Sequence, residues 1–373
     1  MRTLMKTTVL LSFFLVLMGC KEEVKPEIAQ NIPQEVFAVD GITINDPKTV
    51  ENLSLFILTG KEKVIGKNYN TLSEAMERKQ VTVKETGSVN ELAIDNNSSD
   101  YVFIHSGDIV KGGKQDRTIS YDVIIPPNTK DIPLESFCVE QGRWQQRADE
   151  QVVAFSTNTK MLSSRDLKLA AKHENNQGKV WSKVSEQKEY LNEKLSLRKG
   201  YDVDVAANES NSSLQLALES DELKKSRDSI YEKLKDLIDT PDAIGYAYAI
   251  NGEIYGVEVY NNKQLFADLW DKILESVIVE AISKEGEEAE AEKSKKEVLV
   301  YMEAVKANDK KTSKILNKAT KFRTIKNEKG NIVFSTEDLE KQKWIHKSYM
   351  KVDTSATAQH ENGLLNTRLR IEN

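Results

Sequence analysis

Cysteine is nearly absent: Cys20 and Cys138 are the only two in 373 residues. That excludes a disulfide scaffold and a zinc ribbon, both of which need several. Histidine is scarce as well, and His105, His173, His346 and His360 are scattered along the chain, a poor start for a multi-histidine metal site. A basic surplus is missing, since 53 Lys and Arg face 59 Asp and Glu for a formal net charge of −6. Phosphate-backbone binding needs the opposite balance, so nucleic acid is not an expected partner. The longest apolar run, Val9 to Met18, is too short to span a bilayer as a helix. There is no Walker pattern, no His-Glu-x-x-His and no Gly-x-Ser-x-Gly elbow. On these grounds neither a metal nor a cofactor is expected.

What the chain does have is an ordinary balance for a folded body, 39% hydrophobic and 30% charged. It also has a leader. Arg2 and Lys6 precede the apolar run, which has the length of a signal-peptide core and ends in Leu17-Met18-Gly19-Cys20. That ending resembles a bacterial lipobox, in which cleavage leaves Cys20 at the new N-terminus carrying acyl chains, palmitate among them. More than one chain on a residue anchors stably, where a single chain is marginal. Lys21-Glu22-Glu23 resembles the export signal of surface lipoproteins. The expected location is the bacterial cell envelope, lipid-anchored at the outer membrane and displayed at the surface. Residues 1–19 are then a signal peptide, and 20–35, with Pro26 and Pro33, a lipidated tether.

The body is expected to be one α+β domain over 36–352, followed by a loose tail over 353–373. From about Val36 to residue 156 the apolar period is near two, in short runs rich in β-branched residues and parted by Gly, Asn, Asp or Pro. This predicts an antiparallel sheet or sandwich. Amphipathic helices and short hairpins follow. Trp181, Val184, Leu191 and Leu195 share one stripe, Leu223, Ile230, Leu234 and Leu237 a second. Ala243–Ile250 and Glu253–Tyr260 are predicted strands, because Asn251-Gly252 between alternating runs is a strong two-residue hairpin signal. Phe266, Leu269, Trp270, Ile273 and Val277 define a third helix, with Trp270 in the core. Lys293 to Lys329 holds twelve basic residues and four acidic ones, and reads as a solvated helix face around Val298, Tyr301, Met302 and Val305.

Two stretches gather residues that are costly unless used. In the first, Gly112 and Gly113 let backbone N–H groups approach an anion, while Lys114, Gln115 and Arg117 supply donors. In the second, Glu140 is the one acid beside Arg143, and so is the candidate general base. Two readings stand side by side. Either Gly112, Gly113, Lys114, Gln115, Arg117 and Arg143 bind a small anionic ligand near Glu140, or Glu140 pairs with Arg117 or Arg143 and knits a strand to its loop. Cys138 sits in an apolar strand and reads as an inert core thiol.

Together, Ser88 to Leu92, Gly107 to Arg117 and Cys138 to Trp144 resemble the ARG- and rhodanese-phosphatase-superfamily-associated protein domain. The Gly252 hairpin, Phe266, Trp270 and the apolar stretch around His346 are similar to its C-terminal half. Asp116 stands where the family commonly has Asn. The resemblance implies a single α+β domain and, through the enzymes that accompany the family, a link to ADP-ribose or NAD-derived metabolites. Two functions follow as expectations: a ligand-binding envelope domain, with catalysis left open, or a non-catalytic surface interaction module.

The lipobox generates a direct test. Cys20→Ser should release the protein from the membrane fraction or leave it uncleaved. Fractionation and processing identical to the parent would remove the lipoprotein reading.

Overall fold

Short alternating runs fold as strands wherever a turn-former separates them. The computed structural model describes residues 38–142, 155–206, 211–286 and 294–352. It opens with β1 (Ala38–Val39), β2 (Ile42–Val50), β3 (Leu53–Gly60) and β4 (Tyr69–Thr71). Helix α1 (Leu72–Glu77) starts on a capping box, in which Thr71 and Glu74 satisfy each other's backbone N–H. Next come β5 (Val81–Glu85), β6 (Glu91–Asn96), β7 (Tyr101–Ile104), β8 (Asp108–Gly112), β9 (Arg117–Ile119), β10 (Val123–Ile125), β11 (Thr129–Cys138) and β12 (Phe155–Leu162). The helical stretch is α2 (Arg165–Lys172), α3 (Gln177–Lys199), α4 (Leu214–Leu218) and α5 (Asp221–Leu234). Strands β13 (Ala243–Ile250) and β14 (Glu253–Tyr260) lead into α6 (Lys263–Ser283) and α7 (Lys295–Met302). The last four strands are β15 (Lys310–Asn317), β16 (Thr320–Lys326), β17 (Asn331–Asp338) and β18 (Lys343–Lys351).

The class is α+β with mostly antiparallel sheets, the β4–β7 pair being parallel. A nine-stranded sheet runs β1-β2-β3-β13-β14-β18-β17-β16-β15, beside a three-stranded sheet β10-β7-β4 and a six-stranded sheet β12-β8-β9-β11-β6-β5. The largest sheet is therefore built from both ends of the domain: β1–β3 come from the β-rich stretch, and the hairpins β13–β14 and β15–β18 that follow complete it among the later helices. The β13–β14 turn is the one its sequence predicts, with Asn251 and Gly252 at φ of 50° and 78° and Ile250 opposite Glu253. The basic stretch is a different matter. Its helix, α7, ends at Met302, and beyond it Lys310, Lys311, Lys314, Lys318, Lys321 and Lys326 belong to the β15–β16 hairpin. Strand β15 is the edge of the sheet, and Lys310 to Ile315 are exposed along it. Lysines there blunt an edge that would otherwise recruit another strand.

The side-chain period of two gives the large sheet two distinct faces. One carries Leu55, Ile57, Tyr246, Tyr248 and Tyr260 and meets α3, α5 and α6 in the main core. The other carries Phe56, Leu58, Ala247, Val257, Val259 and Tyr349 and is capped by Val298 and Met302 of α7. Helix α3 buries Val180, Val184, Leu191 and Leu195, while Trp181 is only half-buried. Leu237 lies past α5 in a short 3-10 turn and is also half-buried. Among the described residues no helix is long and apolar enough to cross a membrane.

Trp270 anchors α6 on the sheet. It meets Phe266 edge-on at 5.7 Å and Tyr246 at 6.4 Å, and its indole N–H donates to the Lys235 carbonyl at 2.7 Å. Trp270→Ala should lower stability by about 3–5 kcal/mol, read as a lower urea midpoint at unchanged slope. A loss below about 1 kcal/mol would show that this contact does not hold α6 in place.

Candidate functional site

The two stretches singled out by sequence are brought together, but largely to satisfy one another. Gly112 donates its N–H to Asp116 Oδ1 at 3.1 Å, and Ser213 donates its hydroxyl to Oδ2 at 3.0 Å. The Asp116 N–H in turn donates to Glu140 Oε2 at 3.2 Å. The Lys114 N–H donates to Glu85 Oε1 at 3.0 Å, and its side chain is exposed. Above Gly113 (φ 59°) there is no open cradle: a Cβ there would lie 2.7 Å from Glu85 Oε1 and 2.8 Å from the Phe155 ring. Gln115 is fully buried, and neither end of its amide finds a partner among the described residues. Arg117 is 2% exposed, donates to the Val89 carbonyl at 2.6 Å and to Cys138 Sγ, and faces Glu85 at 3.5 Å. Burial pushes the Cys138 thiol pKa up, against the pull of Arg117. Glu140 is fully buried and bridges to Ser213. Arg143, Cys20, the Lys21-Glu22-Glu23 triplet, the tether and the tail lie outside the described residues.

A denser collection of ionisable groups lies on the inward face of the nine-stranded sheet. In the β14–β18 register Glu258 sits opposite Ser348 and Tyr260 opposite His346, and β17 places Thr336 opposite His346. The end of β7 adds His105, the β9–β10 connection adds Asp122, and one face of α2 adds Lys168 and Lys172, four residues apart. All of these are buried. His346 Nδ1 is 2.8 Å from Asp122 Oδ2, and its Nε2 is 2.7 Å from Glu258 Oε2. His105 Nδ1 lies 2.6 Å from the Ser106 carbonyl, while its Nε2 lies 2.8 Å from Tyr260 Oη and 3.6 Å from Glu258 Oε2. Ser348 donates to Glu258 Oε1 at 3.2 Å, and Lys168 Nζ stands 3.8 Å from that oxygen. Asp122 also accepts from the Ser106 N–H and the Thr336 hydroxyl, each at 2.8 Å.

Burial penalises every charge here, and the two histidines answer differently. Burial pushes the His105 pKa down. For His346 burial also pulls down, but the carboxylates of Asp122 and Glu258 outweigh it and hold the pKa at about 9. Burial would raise the two carboxyls. His346 instead keeps Asp122 well below the usual range, and Lys168 with the two imidazoles does so for Glu258. Lys172 is brought down to about 8 by burial. Such a cluster can store a proton or hold a cation. Two of the four histidines thus converge: His105, Glu258 and His346 present one ligand atom each within 4.8 Å of one another.

A third feature lies on the opposite face of the same strands. Between α7 and β16–β18 a groove of about 800 Å³ is lined by Lys63, Lys306, Arg323, Lys343 and Lys347, against Asp40, Glu303 and Glu337. Arg323 pairs with Glu337 at 2.7 Å. Lys347 and Lys63 stand 4.7 and 6.0 Å from the centre of the Trp344 ring. Neither has a carboxylate within 4 Å among the described residues, and burial pushes the Lys347 pKa down.

The family model for the ARG and Rhodanese-Phosphatase-superfamily-associated Protein domain, ARPP-1, matches residues 41–350, nearly the whole folded body. The chain belongs to the ARPP-1 family. No curated protein and no solved structure matches it. Within this ARPP-1 domain sequence reasoning overlooked Asp122, Lys168, Lys172, Glu258, Tyr260 and His346. One local signal existed: Glu258 interrupts Tyr255-Gly256-Val257 and Val259-Tyr260, an acid in an otherwise apolar strand.

The buried Arg117 generates a test. Removing one partner of a buried ion pair leaves the other uncompensated, so Arg117→Ala should cost about 3–5 kcal/mol in a urea melt. A change within about 0.5 kcal/mol would mean that the guanidinium is not structural.

Proposed function

We propose that this chain is a lipid-anchored cell-envelope protein whose ARPP-1 domain binds a small anionic, phosphate-bearing ligand, with ADP-ribose and related nucleotides as the first candidates. The anchor rests on the lipobox at Cys20. The ligand class rests on one observation: two ammonium groups, Lys63 and Lys347, flank Trp344 in an 800 Å³ groove with no carboxylate partner among the described residues. An anion arriving there relieves the repulsion between the lysines and the burial penalty on Lys347. The groove is a better anion site than the glycine pair near Arg117, where Glu85, Asp116 and Glu140 already surround a single described arginine. Catalysis is not part of the proposal. The alternative, a non-catalytic interaction module without a small ligand, draws on the internal pairing of Arg117 with Glu85.

The test is thermal melting of the mature protein with ADP-ribose, and separately with inorganic phosphate. A ligand at one hundred times its Kd stabilises the native state by about 2.7 kcal/mol, a clear rise in Tm. In a Lys63→Met, Lys347→Met variant, which keeps the apolar stems on Trp344, the parent's Tm should persist without ligand and the rise should vanish. No rise for the parent at millimolar ligand, or an equal rise in the variant, would overturn the proposal. The first result would favour the interaction module.

A further inference from the structure

The geometry points to a structural transition-metal site, zinc being the best fit, formed by His105 Nε2, His346 Nε2 and Glu258 Oε2 in the core of the domain. The chemistry of the neighbours assigns the tautomers. The Ser106 carbonyl can only accept, so His105 carries its hydrogen on Nδ1 and turns the Nε2 lone pair inward. His346 Nδ1 faces the Asp122 carboxylate at 2.8 Å, which likewise places a hydrogen on Nδ1. An imidazole whose far nitrogen is held by a carbonyl or a carboxylate is the usual arrangement around a metal.

The inward atoms carry the argument. His346 Nε2 and Glu258 Oε2 are fully buried and only 2.7 Å apart, yet neither makes an aligned hydrogen bond. Two lone pairs that close repel unless a positive charge lies between them. A proton on Nε2 supplies such a charge only along its own N–H bond. A metal ion has no such requirement, and His105 Nε2 at 3.6 Å from the same oxygen completes a triangle of nitrogen and oxygen donors. The Tyr260 hydroxyl, 2.8 Å away, donates to His105 Nε2 until an ion takes that lone pair. Lys168 and Ser348 engage the other oxygen, Oε1, and leave Oε2 for the metal. The site is closed to solvent on every side, as structural sites are, so the ion is taken up while the chain folds. It would tie β14 and β18 to the end of β7.

The experiment uses the full chain, expressed in minimal medium supplemented with zinc or with cobalt. The expected result is about one metal per folded chain by mass spectrometry, and for the cobalt protein the visible bands of a four-coordinate ion. Glu258→Gln and His105→Gln should abolish those bands, and Asp122→Asn should weaken metal affinity about 10–100-fold without changing the stoichiometry. If the variants fail to fold, the parent protein still decides. Folded parent protein carrying neither metal from either medium would overturn the proposal and leave a proton on His346 as the occupant.

Discussion

Burying the Glu258 carboxylate is the constraint around which the core is arranged. A charge so far from water is tolerable only when opposite charges and donors surround it. Here they come from Lys168, Ser348 and the two imidazoles, and therefore from α2, β18 and the end of β7. Asp122 is held in the same manner, and together the two carboxylates fix His346 between β17, β14 and the β9–β10 connection. Ordinary apolar packing would not specify which strand ends meet. A buried polar network does, because most misregistered arrangements strand a charge.

Strand β18 also links the two sites. His346 and Ser348 turn to the core, whereas Lys347 and Tyr349 line the groove on the far side. Alternation from His346 to Tyr349, with a register shift at Ile345 that turns Trp344 to the groove side, thus puts the cluster and the lysine-flanked Trp344 on one strand. Whatever fixes the register of β18 fixes the shape of both, since a slip of one residue would exchange core and groove side chains.

Much of the fold was legible locally. The β13–β14 hairpin and the apolar stripe of α6 follow from spacing and turn chemistry alone. The basic stretch was misread beyond Met302 because lysines at an exposed sheet edge and on a solvated helix face have the same composition. The cluster was invisible for a different reason. Glu258 and His346 meet only because β14 pairs with β18, and His105 joins them from the end of β7; no local pattern encodes a partnership between such distant strands. Around Arg117 the sequence supplied residue types but not directions. Its strand is buried throughout, so the guanidinium that reads as an anion receptor is turned toward Val89, Cys138 and Glu85.

The position of β18 bears on how the chain can be made. It is the last strand described, yet it lies inside the sheet, between β14 and β17, rather than at a margin. Until β18 has been synthesised, β14 has an open flank and both Glu258 and Asp122 lack His346. The polypeptide therefore cannot settle from its beginning onward, because β15, β16 and β17 join the large sheet only through the pairing of β18 with β14.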